Sequence, residues 1–94
     1  MSDAVVAAPD ELAVHVIRII AATQHMPVEA IRIDNTFEEL KIDSLDGINI
    51  VFALESEFQI SIPDEAMQSL KSIRDTVEGV RSLLAQKQQA GSPV

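Results

Sequence analysis

The sequence predicts an all-α fold: a four-helix bundle of three longer helices and a short third one, with a long loop between the first two. Three observations predict it. Apolar residues recur at helical spacing in three separate stretches. Helix-start residues stand ahead of the later ones: Asp43, Pro63 and Ser72. The one alternating stretch, from Ile31 to Leu40, has no second strand to pair with. A chain of 94 residues supports one small domain.

Met1 to Pro9 is small, rich in Ala and Val and unpatterned, so residues 1–9 read as a flexible tail ahead of a domain over 10–86. The first helix is expected from Asp10 to Gln24, with Leu12, Val16, Ile19, Ile20 and Thr23 on its core face. His15 falls on the opposite, exposed face. His25 falls near the helix end, where partial positive charge is favourable. Neither histidine is spaced to serve a nucleophile.

Met26-Pro27 stops this helix, and a connection follows to Ile42. Val28 to Ile31 predict one turn, and Asp34-Asn35-Thr36 another. Ile31, Ile33, Phe37 and Leu40 read as anchors pinning the loop to the core. The carboxylates from Asp34 to Asp43 lack the spacing and the glycine of an EF-hand loop, so no metal is assigned.

The second helix is expected from Ser44 to Phe58, capped by Asp43, with Asp46 adding charge near its positive end. Ile50, Val51, Leu54 and Phe58 share the core arc. Leu45, Ile48 and Phe52 form a separate apolar strip at i, i+3, i+7. An apolar arc this wide is buried on one side and free to bind on the other, because a small domain cannot enclose a whole helix. The short third helix is expected from Pro63 to Ser69, with Ala66, Met67 and Leu70 turned inward. The fourth starts near Ser72, whose partner in the first turn is Asp75, and carries an Ile73, Val77, Val80, Leu84 stripe. Residues 87–94 read as a second flexible tail.

Composition narrows the function. Cysteine is absent, so disulfides and thiolate metal sites are excluded, and any thioester chemistry needs a thiol from outside the chain. Tryptophan and tyrosine are absent and the net charge is −8, which argue against a nucleic-acid partner. Residues 34 to 65 hold nine acids against Lys41 alone, so this segment carries the whole −8. The acids read either as a solvated surface or as a docking face for basic partners. Neither a signal sequence nor a membrane-length apolar run is visible, so a cytoplasmic monomer is expected.

The acidic segment centres on Ser44. A phosphate on its hydroxyl would sit near unpaired N–H groups and the positive end of a helix. On position alone, Ser44 is an ordinary helix-start serine. Asp43-Ser44-Leu45-Asp46 opens an apolar helix ending Ala-Leu-Glu-Ser-Glu-Phe, followed by Ile62-Pro63-Asp64-Glu65. This pattern resembles the acyl carrier protein family, over roughly residues 10 to 86. The resemblance implies a non-catalytic carrier. A phosphopantetheinyl transferase would attach 4′-phosphopantetheine to Ser44, within the Asp43-Ser44-Leu45 motif, and the arm's thiol would carry acyl groups between enzymes. It implies a partner surface of Leu45, Asp46, Ile48, Asn49, Phe52 and Glu55, for acyl-transferring or synthase enzymes with basic docking surfaces.

Four positions depart from the family pattern. Lys41 stands where glycine is usual, so the backbone there is expected to resist positive φ. Asn49 and Ser56 replace acids of the fatty-acid carriers, and Gly47 replaces a larger residue. Fatty-acid synthesis and a specialised lipid or polyketide pathway both stay open. The alternatives are a peptidyl or aminoacyl carrier, or a non-carrier helical adaptor using its acidic face. A catalytic serine is disfavoured, since no nucleophile elbow or triad is visible.

A chain with its net charge gathered around one helix repels itself, and salt screens that repulsion. Raising the salt concentration should therefore raise the melting temperature by several degrees. Melting that is indifferent to salt would show that the acids are too dispersed to repel.

Overall fold

A computed structural model describes residues 11–90, with side chains as far as Lys87. The expected start of the first helix at Asp10, and the tail over 1–9, lie outside the described residues. The elements run α1 (Glu11–Gln24), a 3-10 turn (Val28–Ala30), α2 (Ser44–Phe58), α3 (Asp64–Ser69) and α4 (Ile73–Ala90). The fold is the expected four-helix bundle.

The core lies where α1 packs on α2 and α4. Val16, Ile20 and Ala21 enter it from α1, Ile50, Val51 and Leu54 from α2, and Ile73, Val77 and Val80 from α4. Each fully buried side chain of this size contributes about 1.5–3 kcal/mol. Ile31, Ile42 and Ile62 add three more from the connections. Leu12, Ile19 and Leu84 pack only partly against this core, while Ala21 is buried without having been expected there. Thr76 is buried too, because its hydroxyl donates to the Ser72 carbonyl at 3.1 Å and so leaves no unpaired polar atom.

Two boundaries differ from the sequence reading. Pro63 is the cap of α3 rather than part of its first turn, with extended φ/ψ of −69° and 157°. α4 continues to Ala90, through residues assigned to a flexible tail. Lys87 accounts for part of that extension, since its Nζ donates to the Phe58 carbonyl at 3.2 Å and ties the end of α4 to the end of α2. His15 also departs from the expected free surface position. It is half-buried, with Nε2 3.0 Å from Glu57 Oε2 and its ring 4.8 Å from that of Phe58.

The long loop is more structured than its sequence suggests. Thr36 and Glu39 form a capping box: Glu39 N–H donates to Thr36 Oγ1 at 3.0 Å, and Thr36 N–H donates to Glu39 Oε1 at 2.9 Å. The Asn35 amide donates to the same carboxylate oxygen. The Thr36 N–H first, and then the Asn35 amide, lower the Glu39 pKa from its ordinary value. This contribution to stability holds at neutral pH and is lost as pH falls through that lowered pKa. The loop then meets the start of α4. Phe37 N–H donates to the Lys71 carbonyl at 3.0 Å, Ile73 N–H to Asn35 at 2.9 Å, and Arg74 N–H to Ile33 at 3.1 Å. The alternating residues thus find an isolated bridge, Thr36 to Ser72, in place of a strand.

Two helices, and the loop turn ahead of Ile42, end on a residue in the left-handed region, and each of the three bears a side chain: His25 (φ 57°), Lys41 (φ 61°) and Gln59 (φ 56°). In each case the following residue closes the turn. Met26 N–H reaches the Ala21 carbonyl, Ile42 N–H the Phe37 carbonyl and Ile60 N–H the Glu55 carbonyl. Lys41 therefore takes the positive φ it was expected to resist, because buried Ile42 fixes the turn from the core side. Left-handed backbone costs a side-chain-bearing residue roughly 1–2 kcal/mol, against about 0.5–1 kcal/mol of extra chain entropy lost by glycine. Lys41→Gly should stabilise the domain by about 0.5 kcal/mol or more, and Lys41→Val should destabilise it, as read by urea unfolding.

Candidate functional site

Ser44 is the first residue of α2, and the structure places Asp43 immediately ahead of it as the expected cap. Asp43 has extended backbone, and its Oδ1 accepts the Asp46 N–H at 2.9 Å. Gly47 N–H donates to the Asp43 carbonyl at 2.9 Å, the first bond of the helix. The N–H groups of Ser44 and Leu45 are left without carbonyl partners in the helix, in a position to meet an anion. Ser44 itself is exposed. A short, exposed hydroxyl beside two free N–H groups fits a phosphodiester, because the phosphate would lie outside the core at the positive helix end.

Ser44 also lines a cleft of about 650 Å³ between the start of α2, the long loop and α3. Phe37, Ile42, Ile48, Val51, Met67 and Leu70 give this cleft an apolar lining, with Glu38, Gln68 and Lys71 among its polar residues. Sequence reasoning found the inward turn of Met67 and Leu70 but not the cleft. Its signals were present: the Thr36-to-Glu39 capping box that shapes one wall, and the glycine inside α2.

The apolar strip of α2 lies on the surface. Leu45 is 72% exposed, Phe52 62% and Ile48 37%. Asn49 is exposed beside them, and Asp46 is half-exposed. Glu55 stands apart from this group. Its carboxylate accepts the Ile62 N–H at 2.7 Å, so it holds the connection between α2 and α3. Among the described residues, no group of three or more His, Asp or Glu side chains could hold a metal ion.

A family profile described as "Phosphopantetheine attachment site" matches residues 15–80. The chain belongs to the acyl carrier protein family. It is similar to an acyl carrier protein of Rickettsia bellii, 34% identical over 73 residues, covering 77% of this chain and 85% of that one. It is also similar to an acyl carrier protein homolog of Mycoplasma genitalium, 51% identical over 55 residues, which spans 58% of this chain and 66% of that protein. Among solved structures, the acyl carrier protein of Thermotoga maritima superposes with a TM-score of 0.74 at 28% identity, covering 82% of this chain and 91% of that one. This protein is therefore an acyl carrier, and 4′-phosphopantetheine is its covalent cofactor. Among the described residues, no helix is long and apolar enough to cross a membrane.

Exposure and burial on α2 lead to opposite mutational outcomes. Leu54 is fully buried, so Leu54→Ala should cost about 2–5 kcal/mol. Phe52→Ala on the exposed strip should cost under about 1 kcal/mol. Ile48→Ala should fall between the two, since Ile48 lines the cleft as well as the strip. Urea unfolding of the three variants checks this order.

Proposed function

We propose that Ser44 is the residue to which the arm is attached, and that the carrier serves fatty-acid synthesis or a specialised lipid or polyketide pathway. The observation that carries this reading is the position of the serine. Its hydroxyl is exposed at the capped start of α2 and opens on an apolar cleft in the same place. Asp43 holds the first turn in shape, and the Ser44 and Leu45 N–H groups would receive the phosphate. The arm supplies the thiol that a cysteine-free chain lacks. The chain then needs no base, oxyanion hole or metal of its own, in keeping with a non-catalytic shuttle. The apolar cleft supports acyl over aminoacyl cargo, which the carrier would shelter if α2 and α3 part slightly.

The exposed Leu45, Ile48 and Phe52 strip, with Asp46 and Asn49 on either side, is the proposed docking edge for a phosphopantetheinyl transferase and for acyl-handling enzymes with basic surfaces. With its carboxylate on Ile62, Glu55 contributes less to that edge than its spacing suggests. A cytoplasmic monomer is the proposed working form. Incubation with coenzyme A and a broad-specificity phosphopantetheinyl transferase should add one phosphopantetheine to the wild-type mass and none to Ser44→Ala. An unmodified wild type, under conditions that convert a control carrier, would overturn the assignment.

A further inference from the structure

Two glycines lie among the described residues, and both are inside helices with ordinary negative φ. Glycine at such a position costs about 1 kcal/mol relative to alanine, so each needs a reason. At Gly79 a Cβ would meet only the end of the flexible Leu70 side chain, Cδ2 at 3.4 Å, and this glycine does not line the cleft. At Gly47 a Cβ would have nothing within 4 Å, so no contact demands glycine there. The open space at Gly47 belongs to the cleft, which this glycine lines together with Ser44. Ser44, Gly47, Ile48 and Val51 fall at i, i+3, i+4 and i+7 on one face of α2. The missing side chain thus leaves room between the serine and buried Val51. Stability given up for space beside a working residue is characteristic of a functional position.

Resting on the reading of Ser44 as the arm-bearing residue, we infer that Gly47 sets the width of cargo the cleft accepts. It admits acyl chains bearing a methyl branch or comparable substituent, which a side chain at this position would exclude. The space controls width rather than length. Position 47 borders the cleft one helical turn from Ser44, whereas Val51, Met67 and Leu70 close its apolar wall regardless of what stands at position 47.

The test compares wild type, Gly47→Ala and Gly47→Leu, each converted to the holo form. Each is loaded with octanoyl or with a methyl-branched chain of the same backbone length, and intact mass verifies loading. Alanine and leucine are stronger helix formers than glycine, so the unloaded variants should melt at or above wild type. The readouts are thioester hydrolysis by hydroxide and the melting shift on loading. In wild type both chains should hydrolyse about tenfold slower than the same thioesters on free pantetheine, which corresponds to roughly nine-tenths sheltered. In Gly47→Leu the branched chain should hydrolyse at about the unsheltered rate and lose its melting shift, while octanoyl keeps most of its protection. Gly47→Ala should be intermediate for the branched chain. Equal loss for both chains, no loss for either, or a loaded wild type that shelters neither overturns this inference alone. A wild type that takes no arm removes the assignment of Ser44, and this inference with it.

Discussion

Three backbone hydrogen bonds hold the long loop against the start of α4: Phe37 to Lys71, Ile73 to Asn35 and Arg74 to Ile33. The position of Ser44 depends on them. They seat Phe37 on one wall of the cleft and lead the chain through buried Ile42 to the cap at Asp43. The exposed Arg74–Asp34 ion pair lies on the same seam and adds little by itself. Without this seam the loop would keep its own turn and its buried anchors, Ile31 and Ile42, but lose its hold on α4. The first turn of α2 would then have a cap but no fixed relation to α3, the other side of the cleft.

The helices were legible because their signals are local. Asp43 and the run from Ser44 to Phe58 are a cap and an apolar helix, and the structure has that helix between those residues. Ser72 and Asp75 are spaced as a capping box, and Asp75 N–H donates to Ser72 Oγ at 3.0 Å. Surface and core on α2 separated correctly because helical spacing alone divides Leu45, Ile48 and Phe52 from Ile50, Val51 and Leu54. The less legible features depend on partners distant in the chain. The bond from Glu55 to Ile62 needs the connector to fold back, Lys87 meets Phe58 only once the ends of α4 and α2 come together, and the bridge from Thr36 to Ser72 pairs single residues. The cleft is less legible still, since it is a space among three segments and no one of them encodes it. One of its two sequence traces is Gly47, which reads as a flaw in a helix until the structure shows nothing near it.

Charge and cargo divide the molecule's surface between them. On the proposed reading, the acids between Asp34 and Glu65 would favour the approach of basic partners over long range, while the apolar strip on α2 would supply contact at close range. The cleft opens on the same end of α2 but is lined differently. The exposed strip and the cleft meet at Ile48, which belongs to both.

The three left-handed residues carry a consequence for how the chain folds. His25 and Gln59 are poor helix stops, and Lys41 a poor turn residue, by intrinsic preference; only His25 has a local stop close by, at Pro27. The turns form because Met26, Ile42 and Ile60 must reach the apolar interior. The point at which α2 stops thus depends on the assembled domain as well as on the segment itself. Cut out as a peptide, α2 would have no reason to stop at Phe58. The boundaries and the core must form together, which makes folding all-or-none and leaves few partly folded forms exposed while the carrier passes between enzymes.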